Sequence, residues 1–394
     1  MIKHVCQSFC CIIIVYFTTS CSESISNKVS NSESKPSASA VETDPAARVN
    51  ARILSDELSD KERLGKLIFF DINLSEPAGQ SCASCHDPNS GFADPDRQLP
   101  VSEGVIAGRF GVRNALSAGY TKFTPAFTLG ESPMAVQGGQ FWDGRKIDLI
   151  DQAKAPFLNP LEMNNPSEET VVEDVAAADY APLFLTVYGA DAFDDIDTAY
   201  HNIADAIAAY EGSVEVSPFT SKYDQFKAGT VALSAEETLG LELFIGKGKC
   251  ANCHSLESID NGVNSDIFTN FRFGNIGLPR NTEFPYDLLP ADTIDNGLGA
   301  ILEDPQHDGK FKTPHLRNVT LTAPYMHNGV LKTLEDVVHF YNTRDIPGLW
   351  PEPEVSANMV TGMVGDLGLT EDEEEAIVEF METLTDNYNP AIDD

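Results

Sequence analysis

The sequence predicts a mainly α-helical protein made of two similar halves that are connected by long loops. One helix pattern occurs twice: a capping box, then a Leu-Gly pair, then a Phe. The two copies are Ser59–Glu62 with Leu64-Gly65 and Phe69, and Ser234–Glu237 with Leu239-Gly240 and Phe244. Strand-like alternation is scarce, and Gly- and Pro-rich segments fill the gaps between the predicted helices.

Three further segments predict helices. Residues Thr198–Glu211 repeat apolar side chains at helical spacing and are followed by Gly212, a residue typical of helix ends. Thr333–Asp336 and Thr370–Glu373 each begin with a capping residue, and apolar side chains follow at intervals of three and four. Helices therefore account for both halves of the chain.

The composition describes a well-solvated, strongly acidic chain. Of its 394 residues, 42% are hydrophobic, which is enough to build a core and excludes wholesale disorder. The chain has 61 Asp and Glu against 26 Lys and Arg, a formal charge of −35. A field of this sign repels phosphate backbones and excludes nucleic-acid binding. The same field either steers a small basic partner toward the protein or only solvates its surface.

The N-terminus predicts export. Basic residues precede the apolar run Cys10–Phe17, which is too short to span a membrane, so residues 1–21 are interpreted as a signal peptide. Thr18–Cys21 resembles the lipobox of bacterial lipoproteins, in which the Cys is lipidated. The Ser-rich residues 22–50 predict a flexible tether. We expect a periplasmic protein that contacts the outer membrane only through a lipid anchor on Cys21; plain secretion is the alternative.

The cysteine pattern carries the chemistry. Four of the eight Cys fall within the signal peptide. The other four belong to two copies of a C-x-x-C-H motif, Cys82-Ala83-Ser84-Cys85-His86 and Cys250-Ala251-Asn252-Cys253-His254. This motif attaches haem c: the two thiols bond the haem vinyl groups, and the His ligates the iron. A zinc site built from both Cys pairs is the alternative, but such pairs normally lie closer in sequence.

Two covalent haems in a helical chain indicate two cytochrome c-type domains in tandem. We expect an N-terminal haem domain at residues 51–215 and a C-terminal haem domain at residues 216–394. The boundary between them is predicted near Ser213–Ser221. Because each motif follows one copy of the repeated helix pattern, each half is expected to hold one haem.

Two blocks of sequence resemble a known enzyme family. The first block comprises Gly139–Arg145, Asp151–Pro156 and Leu161–Met163, and the second comprises Arg317-Asn318 and Leu321–Gly329. Both blocks resemble the bacterial di-haem cytochrome c peroxidase family, which includes MauG. The resemblance covers nearly all of the chain after the tether. It implies an enzyme that reacts with hydrogen peroxide at one of its two haems.

The resemblance implies catalytic roles at the first haem. Glu162 matches the family's acid/base group, Gln152 matches a hydrogen-bonding group that orients peroxide, and Pro156 matches part of the pocket wall. Cleavage of peroxide needs an open iron face and a group that moves a proton between the two oxygens. From the residues alone, a solvated Glu and a capping Gln are the alternative.

The resemblance also implies roles between and around the haems. Trp142 matches a residue between the two haems, where an easily oxidised indole relays electrons; a buried core Trp is the compatible alternative. Arg317 is assigned to cofactor binding. Trp350, the second Trp of the chain, has no comparable motif around it.

Family members hold a calcium ion through an Asn side chain and two backbone carbonyls. The matching positions in this chain are Asn114, Thr322 and Pro324. Oxygen ligands suit calcium, although backbone carbonyls leave no signature in a sequence. The resemblance therefore implies one calcium ion in addition to the two haems.

Two departures from the usual family pattern refine these expectations. Many members close the first haem with a distal His, but the corresponding loop, Leu99–Arg113, contains no His. The first haem is therefore expected to be permanently open. At the second haem the usual axial Met is replaced by Tyr341, as in the MauG-like branch. A phenolate favours oxidised iron, whereas a thioether raises the reduction potential. Met359, Met363 and a packing role for Tyr341 are the alternatives.

These features imply a peroxide-dependent di-haem oxidoreductase. Its partner is either a protein with an oxidisable Trp, as in the MauG-like branch, or a small periplasmic electron-transfer protein that supplies electrons for peroxide reduction. A surface Trp before the second haem motif serves MauG as an exit, but here Gly246–Lys249 contains no aromatic residue. Any exit route must therefore differ. A non-enzymatic di-haem electron carrier is the alternative class, and the oligomeric state is left open.

Overall fold

The computed structural model describes residues 58–132, 135–256, 266–390 and residue 392. The predicted signal peptide, the lipid anchor at Cys21 and the tether lie outside these residues. Across the described ranges, helices are far more abundant than strands, which confirms the mainly α-helical prediction. None of the helices in these ranges has the length and apolar character needed to cross a lipid bilayer.

The regular elements are short and separated by long irregular segments. The α-helices of the described residues are α1 (Asp60–Phe69), α2 (Cys82–Cys85), α3 (Leu149–Leu158), α4 (Glu168–Ala177), α5 (Ala181–Tyr188), α6 (Ile196–Glu211), α7 (Lys222–Lys227), α8 (Ala235–Ile245), α9 (Leu298–Leu302), α10 (Leu334–Thr343) and α11 (Glu371–Glu382). Two short strands, β1 (Phe273–Gly274) and β2 (Phe311–Lys312), pair antiparallel, with Phe273 opposite Lys312.

Helix starts agree with the capping signals in the sequence. The helix starts predicted before α1, α8, α10 and α11 are all present, and each forms a capping box with reciprocal hydrogen bonds between the cap residue and the acidic residue three positions later. Helix α6 begins at Ile196, two residues before the predicted start. The reason is that the Asp195 side chain accepts a hydrogen bond from the Thr198 backbone N–H and caps the helix earlier.

The repeated helix pattern produces the same helix pair in each half. In the first half α1 packs against α6, and a Cβ on Gly65 would overlap the Ala206 carbonyl oxygen. The rings of Phe69 and Tyr210 meet edge to face at 5.3 Å between centroids. Gly at this point lets the two helix backbones approach more closely than any larger residue would allow.

The second half repeats this arrangement with different residues. Helix α8 packs against α11, and a Cβ on Gly240 would overlap the Ala376 carbonyl oxygen. Phe244 and Phe380 meet edge to face, again at 5.3 Å. The two copies of the sequence repeat thus fold into the same close helix crossing.

Each half has its own hydrophobic core. One core is formed by buried residues between Leu64 and Val216, and the other by buried residues between Tyr223 and Leu384. The predicted domain boundary near Ser213–Ser221 stays a prediction. The long segments around β1 and β2, and between α2 and α3, carry the predicted site residues.

Candidate functional site

The first C-x-x-C-H motif lies on a single helical turn. Cys82 is the first residue of α2 and Cys85 is the last, and His86 is the C-cap of this helix. The Nδ1 atom of His86 lies 3.1 Å from the Phe92 carbonyl oxygen. A His held through Nδ1 in this way keeps Nε2 available as a ligand with a fixed ring orientation.

The second motif repeats this geometry. Cys250–Asn252 form a 3-10 turn, and the Nδ1 atom of His254 lies 2.9 Å from the Phe268 carbonyl oxygen. Burial lowers the pKa of His254 to about 4, so its imidazole is neutral and can act as a ligand. Two thiols and an oriented neutral imidazole on one turn are the donor set that covalent haem requires.

The two motifs open onto two cavities. The first cavity, of about 210 Å³, is bordered by Cys85 and His86, and the second cavity, of about 220 Å³, by all three functional residues of the second motif. Trp142 and the segments Asn114–Ser117 and Lys312–His315 border both cavities, and we call these residues the shared wall. No cluster of three or more His, Cys, Asp and Glu side chains suited to a metal ion occurs among the described residues. Because the motifs line different cavities, a single zinc site formed by both Cys pairs is excluded.

The three residues predicted to act on peroxide come together in the first cavity. Gln152 and Pro156 lie on α3, and Glu162 lies on the turn that follows this helix; all three border the cavity that contains His86. The structure therefore gathers these groups at one face, as the resemblance implies. Their catalytic roles are taken up below.

The carboxyl of Glu162 is held in a largely dry environment. Burial raises the pKa of this carboxyl, while a hydrogen bond from Asn159 and the nearby charge of Arg145 partly oppose that rise. The Asn159 Nδ2 atom lies 2.8 Å from Glu162 Oε1. A raised pKa makes this carboxyl a better proton acceptor than an exposed Glu, which suits a group that takes up and returns a proton.

The loop predicted to leave the first haem open packs directly on this carboxyl segment. Within Leu99–Arg113, the backbone N–H of Val105 donates to the Glu162 carbonyl oxygen at 2.9 Å. Arg109 reinforces the contact by donating to the Pro160 carbonyl at 3.2 Å. The loop thus positions the Glu162 segment, and because it contains no His it offers no imidazole to the first cavity.

Trp142 is fixed within the shared wall by its polar atoms. Its Nε1 donates to the Asn114 carbonyl at 2.9 Å, and its own carbonyl accepts from the Lys312 backbone N–H at 2.7 Å. The indole meets the ring of His327 edge to face at 6.4 Å between centroids. Trp142 is therefore held between the two cavities by segments from both halves of the chain.

The candidate axial ligands of the second haem separate into two groups. Tyr341, on α10, and Met363, in a later loop, both border the second cavity. Met359 does not border this cavity, and its side-chain methyl lies against Gly277. Burial, followed by the neighbouring Cys253 and Cys250, raises the pKa of the Tyr341 hydroxyl. Geometry therefore leaves Tyr341 and Met363 as candidates.

Arg317 borders the second cavity, but protein acceptors occupy its guanidinium. It makes a two-point ion pair with Asp224 at 2.7 and 2.9 Å, and it donates twice to the Asp266 carbonyl and once to Ser221 Oγ. These five bonds use all five N–H donors of an Arg side chain. Arg317 thus joins segments that surround the second cavity, and its predicted contact with the cofactor stays a prediction.

The three predicted calcium ligands lie together. Asn114, Thr322 and Pro324 all border the second cavity, and the Asn114 side-chain amide contacts the Pro324 carbonyl. The Asn114 backbone N–H donates to the His327 carbonyl at 2.8 Å. An amide oxygen and two carbonyl oxygens are ligands that calcium accepts, so the residues present fit the ion.

Sequence reasoning missed three buried polar side chains at these cavities. Glu211 borders the first cavity; burial raises its pKa to about 8, and its Oε2 has no hydrogen-bond partner among the described residues. Lys312, in the shared wall, has a pKa lowered to about 7 by burial, and His315 lies beside it with a pKa lowered to about 4. Glu211 ends a helix, Lys312 ends the two-residue strand β2, and His315 lies in the loop that follows; polar residues are ordinary at such positions, so no pattern distinguished them.

Comparison with known proteins gives consistent results. A family model described as di-haem cytochrome c peroxidase matches residues 59–232. The methylamine utilization protein MauG of Paracoccus denitrificans is 39% identical over 354 residues, covering 84% of this chain and 90% of that relative. Cytochrome c551 peroxidase of Pseudomonas aeruginosa is 33% identical over 285 residues, covering 71% of each chain.

A solved structure agrees in fold as well as in sequence. The crystal structure of the diheme peroxidase BthA from Burkholderia thailandensis matches with a TM-score of 0.74 and 34% identity, covering 83% of this chain and 86% of that chain. The chain therefore belongs to the di-haem cytochrome c peroxidase and MauG family and is a haem oxidoreductase that acts on peroxide, as its sequence motifs indicated.

Proposed function

We propose that this protein uses hydrogen peroxide, at the first cavity, to withdraw electrons from a partner protein through the second cavity. The observation that carries the proposal is the shared wall, because Trp142 borders both cavities and each cavity has its own C-x-x-C-H motif. The haems supply the site where peroxide reacts and hold the oxidising equivalents until the partner reduces them. Peroxide takes up two electrons and two protons and leaves as two waters.

The residues of the first cavity manage the protons of this reaction. Glu162 takes the proton from the peroxide oxygen nearer the haem and delivers it to the farther oxygen, which then leaves as water. Gln152 orients the peroxide by hydrogen bonding, and Pro156 closes one side of the pocket. The raised pKa of Glu162, caused by burial, supports this role, since it makes the carboxylate a better proton acceptor.

The residues of the shared wall and the second cavity manage the electrons. Trp142, fixed by its hydrogen bond to Asn114, carries electrons from the second haem to the first. Tyr341, which borders the second cavity, would be the ligand that the protein offers to the second haem, and as a phenolate it would stabilise oxidised iron. This ligand favours the MauG-like mode, oxidation of a partner protein, over peroxide reduction fed by a small redox protein.

Two further assignments complete the proposal. A calcium ion is bound by Asn114 Oδ1 and the carbonyl oxygens of Thr322 and Pro324, which ties the shared wall to the second half of the chain. The protein acts in the periplasm, anchored to the outer membrane through a lipid on Cys21; this assignment is supported by the sequence of the N-terminus. The calcium is supported by the positions of Asn114, Thr322 and Pro324, which all border the second cavity.

The direct test is a reaction of the fully oxidised protein with peroxide. Because the Leu99–Arg113 loop contributes no His, we expect peroxide to react without prior reduction and cyanide to bind one of the two haems. Stopped-flow absorbance and EPR spectroscopy measure both. If both ferric haems stay low-spin and inert until the protein is reduced, the first haem is closed and the proposal fails. If peroxide does not react under either condition, the electron-carrier alternative is correct.

A second prediction concerns the ligand of the second haem. Changing Tyr341 to Phe removes the phenolate, so the charge-transfer absorption and the resonance Raman bands of an iron-bound phenolate should be lost while both haems remain attached. The matched control is Met363→Leu, which removes the competing ligand from the same cavity and should leave these signals intact. Phenolate signals that survive in Tyr341→Phe, or that vanish in Met363→Leu, would contradict the assignment.

A further inference from the structure

An aromatic path leads from the second cavity to the protein surface. Tyr341 borders the cavity, and its ring meets that of Phe340 at 6.3 Å between centroids. Phe340 is fully buried and meets the ring of Trp350 edge to face at 5.1 Å. One buried ring therefore separates the proposed ligand from the second Trp of the chain, which the sequence alone gave no role.

The outer end of this path lies in an exposed apolar loop. Trp350 is half-buried, and the preceding Ile346 and Leu349 are 43% and 49% exposed. The Trp350 Nε1 donates to Thr343 Oγ1 at 3.0 Å, which holds the indole in one orientation. A held, easily oxidised ring beside exposed apolar side chains is suited to electron exchange with a docked protein.

The chain that carries this loop is strongly acidic, which favours a basic partner. The last fifty residues, 345–394, contain fourteen Asp and Glu and no Lys, Arg or His. Glu374 lies near the indole, because its carboxylate is 3.1 Å from His339 Nδ1, and the His339 ring is 6.0 Å from that of Trp350. A surface of this kind attracts a protein whose own apolar contact is surrounded by Lys and Arg.

We propose that Trp350 is the residue through which the partner protein delivers its electrons, and that Ile346–Trp350 is the docking surface for a partner whose own contact surface is basic. This inference rests on the proposed function. It gives the route by which electrons enter from the partner, which cannot run through Gly246–Lys249 because that segment contains no aromatic residue. Two electrons pass singly from the partner through Trp350, Phe340 and Tyr341 to the second haem. These two electrons reduce the two oxidising equivalents that one peroxide generates. With two protons, that peroxide becomes two waters.

Reduced mitochondrial-type cytochrome c, a small basic protein, serves as the probe. With peroxide present, Trp350→Phe should lower the rate of cytochrome c oxidation at saturating cytochrome by about tenfold, since the relay is lost while the docking loop is kept. Leu349→Ser should instead raise the cytochrome concentration needed for half the maximal rate and leave the saturated rate unchanged. Added salt should weaken docking in both variants.

A second readout needs no partner. In wild-type protein treated repeatedly with peroxide alone, Trp350 should be oxidised: the indole and one water together lose two electrons and two protons, and the indole keeps the water oxygen. The electrons pass to peroxide, which takes up the two protons. Peptide mass spectrometry should find this mass increase at Trp350 and a smaller one, or none, at Trp142. A wild-type saturated rate in Trp350→Phe together with an unmodified Trp350 would overturn the inference. If wild-type haem spectra do not respond to peroxide at all, the proposed function has failed instead.

Discussion

Replacing Glu162 by Gln should slow the reaction of the oxidised protein with peroxide by about 10²–10⁴-fold, the usual contribution of a positioned acid/base group. The amide fills the same space and can still hydrogen bond, but it cannot take a proton from one peroxide oxygen and pass it to the other. Stopped-flow absorbance of the haem bands measures the rate. The substitution leaves the first cavity intact, so the variant should still bind cyanide.

The matched control is Glu103→Gln. Glu103 lies in the loop that packs on the Glu162 segment, but its carboxylate is exposed and accepts a hydrogen bond from the Gly108 backbone N–H at 2.6 Å. This variant makes the same chemical change outside the cavity and should react at the wild-type rate. Equal rates in Glu162→Gln and wild type would remove Glu162 from the mechanism.

The pH dependence of the same reaction follows from the surroundings of Glu162. Burial raises the pKa of this carboxyl, so the carboxylate that accepts the first proton is lost, and the rate falls, at a higher pH than for an exposed Glu. Asn159→Asp removes a hydrogen-bond donor and adds a like charge, and both changes raise the pKa further. The acid limb of the rate profile should therefore move to higher pH; a shift to lower pH would contradict this account.

Replacing Arg317 by Met should cost about 3–5 kcal/mol of stability, the usual penalty when one partner of a buried ion pair is removed. Arg317 is 1% exposed, and its guanidinium pairs with Asp224 while lying about 5.0 Å from the ring of Phe219. Met fills similar space but leaves the Asp224 carboxylate without its charge partner. Thermal and denaturant unfolding of the haem-loaded protein measures the loss.

Arg317→Lys separates the structural role from the predicted cofactor contact. Lys keeps the positive charge but cannot make the two-point pair with Asp224 or reach the Asp266 carbonyl as well, so it should recover only part of the lost stability. Haem content, measured as the pyridine haemochrome of denatured protein, should remain two per chain in both variants. Wild-type unfolding together with an altered second-haem spectrum would favour a direct contact with the cofactor.

The parts of the fold that the sequence predicted are those with local causes. Capping boxes and helical spacing are properties of neighbouring residues, so α1, α8, α10 and α11 could be identified from the chain alone. The C-x-x-C-H motifs are equally local, because both thiols and the imidazole come from five consecutive residues. For Gly65 and Gly240 the sequence showed only that a Leu-Gly pair is repeated. The glycines are required by close contact with a helix that is distant in sequence, which only the structure shows.

The parts that could not be predicted depend on burial and on distant segments. Glu211 looks like an ordinary polar helix end, and only the folded chain buries it at the first cavity. Arg317 matched a family motif, but its five hydrogen bonds go to Ser221, Asp224 and Asp266, which are far away in sequence. Trp350 gains significance only when Phe340 and Tyr341 are seen beside it.

The shared wall also limits how the chain can be divided into working fragments. Lys312–His315, from the second half, border the cavity that contains His86, from the first half. A fragment ending at the predicted boundary would therefore keep its own helix pair and its own haem motif but lack one side of its cavity. The two halves resemble duplicated modules. Each nevertheless needs residues from the other to complete its cavity, so neither could be transferred to another protein as a working unit.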